Sequence, residues 1–209
     1  MSRILVVDDH SVVRTGIRKL LAEIPDAAIS DVASGEEALK LCGAAAFDLV
    51  ILDLNLPGVG GLELVKRLLR GSPRLQILVF SLHTEAIYAT RAIETGARGF
   101  VSKNAPAEEL LSAVRTVLAG GVAIEKDIAK EIADHGVIAD AYLRPLTQRD
   151  LEIVRLLVSG KSLAQIADTL GVAYKTVANT LSMIKEKLGV DSTADLIRLA
   201  ISRGLTDLA

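Results

Sequence analysis

The fold is decided by residues 48–58, which read DLVILDLNLPG. Four consecutive apolar residues between two acids, followed by a Pro-Gly turn, are typical of a short strand buried on both faces. Strands of this kind belong to parallel sheets, and this one ends in a carboxylate, Asp53. We therefore predict that Asp53 lies at the edge of a covered parallel sheet.

Outward from this strand, apolar runs alternate with helical patterns through the first 120 residues. Strands are predicted at residues 4–7, 27–33, 49–52, 75–80 and 99–101, and helices at 11–22, 34–41, 61–69, 85–95 and 106–118. Residues 1–121 are accordingly predicted to form a doubly wound α/β domain with a five-stranded parallel sheet.

Five polar side chains follow the predicted strands where those strands end. They are Asp8 and Asp9 after the first strand, Asp53 after the third, Ser81 after the fourth and Lys103 after the fifth. Each one alone is compatible with an ordinary turn, cap or surface residue. Because the carboxyl ends of parallel strands meet at one edge, where such folds bind ligands, we expect the five to form one site.

This combination of residues predicts chemistry on a phosphoryl group. Three neighbouring carboxylates repel each other and need a cation, and carboxylate oxygens suit a hard ion such as Mg²⁺. One carboxylate can then attack a phosphoryl group and form an acyl phosphate. Lys103 would supply positive charge, and Ser81 a hydroxyl donor, to the phosphoryl oxygens.

The composition restricts the remaining classes of function. The chain has 209 residues and a formal net charge of −2, which attracts neither nucleic acid nor membrane as a whole. Its single cysteine, Cys42, allows no intramolecular disulfide. The amino terminus lacks a signal-peptide pattern, and no apolar stretch is long enough for a membrane span. We expect a cytoplasmic protein without a membrane partner.

The last third of the sequence has no strand pattern. Residues 122–143 are acidic and are predicted to form a linker, with at most a short helix near 126–133. Residues 144–209 are predicted to be all helical, with four helices at 148–158, 163–170, 175–188 and 193–203. The third helix has small polar residues opposite its apolar stripe: Lys175, Thr176, Asn179, Ser182 and Lys185. Such a face fits the major groove of DNA, although a bundle for protein contacts is an alternative.

Residues 3–119 resemble a receiver domain of two-component signalling, a flavodoxin-like fold. The matching stretches are LVVDDH at 5–10, DLVILDLNLPG at 48–58, VFS at 79–81 and GARGFVSK at 96–103. The resemblance implies that Asp53 accepts phosphate from a sensor histidine kinase or a small phosphodonor. It also implies direct Mg²⁺ ligation by Asp9, Asp53 and the backbone carbonyl of Asn55, with Asp8 acting through water. Ser81 and Phe100 occupy its switch positions.

Residues 145–203 resemble the LuxR-type DNA-binding domain, so the whole chain resembles a NarL/FixJ response regulator. The matching stretches include LT at 146–147, KTV at 175–177 and KLGV at 187–190. The resemblance implies promoter DNA as a partner, a homodimer in the phosphorylated state, and phosphate contacts from Lys161, Lys175 and Lys185. Ala173 stands where a capping serine is usual, and Ala178 where a lysine is common, which predicts fewer contacts to DNA.

Two other functions are compatible with parts of this pattern. The DNA-binding domain lacks cations that are common in its family. This would suit a protein with weakened DNA binding that acts as a phosphate sink or as a protein-binding regulator. An aspartyl-phosphate phosphatase would need an acid two residues after the nucleophile, and that position holds Asn55. We therefore expect that the protein is not an enzyme, and we favour a regulator in which phosphorylation of Asp53 controls transcription.

Overall fold

The computed structural model of the chain describes residues 2–59, 61–143, 145–203 and 205. It divides into two compact units: Met1–Thr84 with Tyr88–Lys130, and Glu85–Ile87 with Glu131–Ala209. The first and last positions of the predicted C-terminal domain, 144 and 209, lie outside the described residues.

The first unit contains a parallel sheet with helices between its strands. The strands are β1 (Ser2–Val7), β2 (Ala27–Val32), β3 (Leu49–Leu52), β4 (Gln76–Ser81), β5 (Gly99–Ser102) and β6 (Ala123–Ile124). Their order across the sheet is β2-β1-β3-β4-β5-β6, and every pair is parallel. The doubly wound parallel sheet is therefore confirmed, but the count of five strands was wrong, because β6 adds a two-residue strand beside β5.

Helices connect and follow these strands. They are α1 (Ser11–Leu21), α2 (Gly35–Ala44), α3 (Gly61–Gly71), α4 (Ala86–Thr95), α5 (Ala107–Leu118) and α6 (Lys126–Leu143). The last is much longer than the short helix expected near residues 126–133. This helix has 18 residues and occupies most of the segment 122–143, for which the sequence predicted a linker.

Burial of the central strands explains why their sequences are continuously apolar. All four residues of β3 and of β5 are buried, because helices cover both faces of the sheet. One large core cluster joins Ile4, Ile51 and Leu78 of the sheet to Leu110 and Val114 of α5. This packing makes the sheet a rigid base for the loops at its carboxyl edge.

Backbone hydrogen bonds align the strand ends. The Asp53 amide donates to the Val7 carbonyl at 2.9 Å, and the Lys103 amide donates to the Ser81 carbonyl at 2.8 Å. The residues that directly follow β3 and β5 are thus held level with the ends of β1 and β4. The predicted convergence at one edge follows from this register.

The second unit contains helices at the four positions that the sequence pattern predicts. They are α7 (Gln148–Val158), α8 (Leu163–Leu170), α9 (Tyr174–Leu188) and α10 (Thr193–Ser202). Thr147 and Ser162 form capping boxes at the starts of α7 and α8, with Asp150 and Gln165 as their partners. Among the described residues, we find no helix with the length and apolar character needed to cross a membrane.

Gly35, at the start of α2, lies against the loop that follows β3. A Cβ atom at this position would stand 1.8 Å from the carbonyl oxygen of Val59, a backbone atom that cannot simply rotate away. The next residue, Glu36, accepts a hydrogen bond from the Val59 amide at 3.1 Å. The amino end of α2 therefore holds the loop that begins just after Asp53.

Replacing Gly35 by alanine should destabilise the protein. The added methyl group forces the backbone at Val59 to move, and overpacking of this kind costs about 1–3 kcal/mol. Gly43→Ala is the matched control, because Gly43 lies in the same helix and a Cβ atom there would meet nothing within 4 Å. The control should gain up to about 1 kcal/mol. Urea unfolding of both variants measures the difference, and equal stabilities would contradict the close contact.

Candidate functional site

An ammonium group lies between two buried carboxylates at the carboxyl edge of the sheet. Lys103 Nζ is 2.6 Å from Asp53 Oδ2 and 2.7 Å from Asp8 Oδ2. The side chains of both aspartates are 2% exposed and that of Lys103 is 7% exposed. Water can therefore screen these charges only weakly, and each depends on the others for its stabilisation.

Burial and charge act differently on the groups of this pocket. Burial raises the pKa of Asp53 above its usual value, and the nearby Asp8 carboxylate adds to that effect, while Lys103 and the Asn55 amide oppose it. Burial alone would lower the pKa of Lys103, but its hydrogen bonds to Asp53 and Asp8 outweigh this and raise it. The ammonium is charged at neutral pH, where its contribution to stability is fully present.

A fourth group, Asp9, joins the pocket from the exposed side. One ligand atom from each of Asp8, Asp9, His10 and Asp53 lies within 4.8 Å of the others. The side chain of Asp9 is 34% exposed, and its Oδ1 is 2.7 Å from His10 Nδ1. Hard oxygen donors dominate this cluster, as Mg²⁺ prefers, and an open side leaves room for further oxygen ligands. The donor set therefore fits the predicted ion.

The two predicted switch residues are both fully buried. Phe100 lies in β5, paired with Val79 on one side and Ile124 on the other. Ser81 ends β4, and its hydroxyl oxygen accepts a hydrogen bond from the His83 amide at 3.3 Å. The structure thus brings Asp8, Asp9, Asp53 and Lys103 into one cluster, whereas the Ser81 hydroxyl is engaged with its own loop.

Sequence reasoning missed a contact between the two loops beside Asp53. His83 Nε2 is 2.8 Å from the side-chain oxygen of Asn55. The same imidazole stacks on Tyr88, with 3.9 Å between ring centroids and 9° between the planes. The sequence assigned Asn55 only a backbone role, and no short-range pattern links it to a histidine 28 positions away. The contact joins the β3–α3 loop to the β4–α4 loop.

A second missed feature supports the end of β1. Arg14 in α1 donates to the backbone carbonyl of Asp8 at 2.7 Å and to the carboxylate of Asp31 at 3.0 Å. The pKa of Asp31 is lowered, mainly by its hydrogen bond to Arg18 and also by Arg14. The sequence did contain a signal for this contact, because Arg14 lies in the first turn of the helix that follows the acid pair Asp8 and Asp9. Arg14 braces the backbone that carries Asp8 and Asp9.

The predicted polar face of the third C-terminal helix is accessible on α9. Lys161, Lys175, Thr176, Asn179 and Ser182 are exposed, and Lys185 is half-buried. The apolar stripe predicted on the opposite side of α9 consists of Val177, Leu181, Ile184 and Leu188; the first three are buried and Leu188 is half-buried. Lys161 precedes α8 rather than lying on α9, and its Nζ is 3.5 Å from the Thr169 hydroxyl.

Two side-chain contacts join α7 to its neighbours α9 and α8. Lys187 Nζ lies 2.6 Å from Asp150 Oδ2, which joins the end of α9 to the start of α7. Arg149 donates to the carbonyl of Leu170 at 2.9 Å, at the end of α8. Ala173 begins α9 without a side-chain cap, as expected from the missing serine. These contacts link α7, α8 and α9, and the polar face of α9 stays exposed.

Both halves of the chain match known protein families. Residues 4–115 match the response regulator receiver domain, and residues 144–200 match the luxR family of bacterial regulatory proteins.

Two curated relatives cover nearly all of the chain, and a solved structure covers part of it. The transcriptional activator protein ExaE of Pseudomonas putida is 41% identical over 99% of each chain. The response regulator UvrY of Escherichia coli K12 is 34% identical over 98% of this chain and 96% of its own. A solved two-component response regulator of the LuxR family from Aurantimonas sp. SI85-9A1 is 38% identical, with a TM-score of 0.63 over 66% of this chain and 99% of its own.

Removing the pocket ammonium should lower stability. Lys103→Met leaves two buried carboxylates without their shared partner, which costs about 3–5 kcal/mol at neutral pH with EDTA present. Lys19→Met is the control, because Lys19 is an exposed lysine of α1, and it should change stability by no more than about 0.5 kcal/mol. Chemical unfolding measures both. A Lys103 variant as stable as the control would show that the ion cluster contributes nothing to folding.

Proposed function

The chain belongs to the NarL/FixJ family of two-component response regulators, with a receiver domain followed by a LuxR-type DNA-binding domain, and we propose that phosphorylation of Asp53 controls its binding to promoter DNA. We assign residues 1–121 to the receiver, 122–143 to the linker and 144–209 to the DNA-binding domain. We propose a sensor histidine kinase as the phosphate source and the cytoplasm as the location of the protein.

The observation that carries this proposal is the position of Lys103 between Asp53 and Asp8. A carboxylate oxygen of Asp53 forms a bond to phosphorus, while the bond from phosphorus to the donor's nitrogen or oxygen breaks and the donor keeps the electron pair. Negative charge then increases beside Asp53. Lys103 is already placed to meet it, so little reorganisation is needed.

Asp9, Asp53 and the carbonyl of Asn55 would hold Mg²⁺ directly, with Asp8 acting through water. The ion supplies positive charge that offsets the carboxylates and the phosphoryl oxygens. Asp8 and Asp53 also keep the Lys103 ammonium in place, and Arg14 fixes the backbone of Asp8. These residues orient the pocket for phosphoryl transfer.

After phosphorylation, the switch position that responds is Ser81, while the second switch residue, Phe100, packs in the neighbouring strand β5. The Ser81 hydroxyl leaves its contact with the His83 amide and donates to a phosphoryl oxygen. The family resemblance implies that the aromatic ring turns inward, but Phe100 is already fully buried in β5, so its ring needs no further inward movement. The phosphorylated state is favoured because it gains the contact of the Ser81 hydroxyl with the phosphoryl group, which the unmodified protein cannot make.

The output is sequence-specific binding of a homodimer to double-stranded promoter DNA through α9. Lys175, Thr176, Asn179 and Ser182 are exposed on its polar face, which supports entry into the major groove. Lys161, Lys175 and Lys185 are proposed to contact DNA phosphates. The relative ExaE is described as a transcriptional activator, which supports an output in transcription.

Incubation with acetyl phosphate and Mg²⁺ should phosphorylate the protein at residue 53. An acyl phosphate is stable in acid and labile in base, so peptide mass spectrometry after each treatment identifies it. Asp53→Asn should abolish the modification, because an amide cannot act as the nucleophile. Asp26→Asn is the control, because this exposed aspartate precedes β2 at the opposite edge of the sheet. A wild-type protein that gains no phosphoryl group at Asp53 would refute the proposal.

Lys175→Ala should weaken binding to promoter DNA and flatten its salt dependence. Loss of one phosphate contact should reduce the slope of log K against log salt by about one. Lys66→Ala, an exposed lysine of α3, is the control and should leave the slope unchanged. Fluorescence anisotropy of the phosphorylated proteins at several salt concentrations measures both quantities.

The same titration distinguishes the alternative output. Specific binding of wild-type protein to promoter DNA excludes a receiver that acts only as a phosphate sink or protein-binding regulator. Phosphorylated wild-type protein that shows no preference for any promoter fragment would favour that alternative. An unchanged slope for Lys175→Ala would remove this lysine from the interface.

A further inference from the structure

The segment after α5 contributes a side chain to the loop that carries Lys103. The Ala123 amide donates to the carbonyl of Arg98 at 3.0 Å, and the Glu125 amide donates to the carbonyl of Phe100 at 3.0 Å. The next amide along this edge of β5 belongs to Ser102, and it donates to Glu125 Oε2 at 2.6 Å. The Glu125 side chain thus continues the hydrogen-bond ladder one step beyond the end of β6.

This hydrogen bond satisfies a buried group. Ser102 is fully buried, so its amide depends on an acceptor supplied by the protein. A buried donor without an acceptor is strongly disfavoured, and bonds to a charged acceptor are stronger than neutral ones. The Ser102 backbone therefore depends on Glu125 for its position.

The loop makes three further hydrogen bonds, one of which reaches across to β4. Lys103 donates its amide to Ser81, Asn104 donates its amide to the Ser102 hydroxyl at 3.0 Å, and Ala105 donates its amide to the Ser102 carbonyl at 3.1 Å. Two of these three bonds converge on Ser102. A shift of Ser102 would therefore move the start of the loop and, with it, the adjacent Lys103.

We propose that Glu125 is a positioning residue for phosphoryl transfer, because it fixes Ser102 and so holds Lys103 against Asp53 and Asp8. Glu125 touches neither aspartate itself. The inference rests on the proposed phosphorylation of Asp53, and it assigns a role in that reaction to a residue outside the predicted receiver boundary. Through Ser102, it also links the pocket to the residue before α6.

Two substitutions at Glu125 separate the hydrogen bond from charge and bulk. Glu125→Met keeps much of the side-chain volume without an oxygen acceptor, whereas Glu125→Gln keeps an acceptor without the charge. Glu109→Gln is the control for lost charge, because Glu109 accepts a bond from the Lys126 amide at 3.4 Å in the same region. The rate of Asp53 phosphorylation by acetyl phosphate with Mg²⁺ is measured in the full chain.

We expect Glu125→Met to be phosphorylated about three- to tenfold more slowly, because a small displacement of a positioned group costs rate. Glu125→Gln and Glu109→Gln should stay near the wild-type rate. Amide hydrogen exchange at Ser102 should be slow in the wild type and in Glu125→Gln, and faster in Glu125→Met.

Several results would overturn the proposal. They are a Glu125→Met rate equal to that of wild type, a Glu125→Gln rate as low as that of Glu125→Met, or a Ser102 amide that exchanges rapidly in the wild type. The exchange rate of the Ser102 amide in the wild type tests the proposal even when Glu125→Met fails to fold. Wild-type protein that accepts no phosphoryl group would instead refute the proposed function, so the two failures are distinguishable.

Discussion

The pocket depends on one ammonium group shared by two buried carboxylates. Lys103 lies within 2.7 Å of both Asp53 and Asp8, and burial makes each charge expensive without the others. Two carboxylates and one ammonium leave the cluster negatively charged, which favours an added cation. The same Lys103 is adjacent to the oxygen atoms on which further negative charge would develop. Stability of the resting pocket and readiness for phosphoryl transfer therefore have a common electrostatic origin.

The parallel sheet determines where these groups meet. Its central strands are buried on both faces, and backbone bonds such as Asp53 to Val7 hold neighbouring strand ends level. Reactive side chains are placed one residue beyond rigid strands, while longer loops add contacts such as that between His83 and Asn55. In the second unit the polar residues lie on a helix, α9, whose opposite stripe is buried. Both sites thus combine accessible polar groups with a well-packed support.

The strands, the helices and the position of the pocket were largely predictable, because the apolar residues of the sequence repeat with the strong periodicity of these elements. Apolar runs ending in Asp8, Asp53 and Lys103 located the pocket, and helical spacing located the helices α7–α10. Strand β6 was missed because two residues, Ala123 and Ile124, show no periodicity of their own. Contacts made by single side chains across many positions, such as Glu125 to Ser102, have no local signature. They depend on the tertiary structure that brings distant segments together.

The short strand β6 also affects how the sheet meets solvent. Backbone groups of Arg98, Phe100 and Ser102 face outward from β5, and residues 123–125 pair with all three. A receiver excised after residue 121 would present these groups as an open edge. Open edges accept strands from other molecules and promote aggregation. The few residues that follow α5 therefore also protect the sheet against self-association.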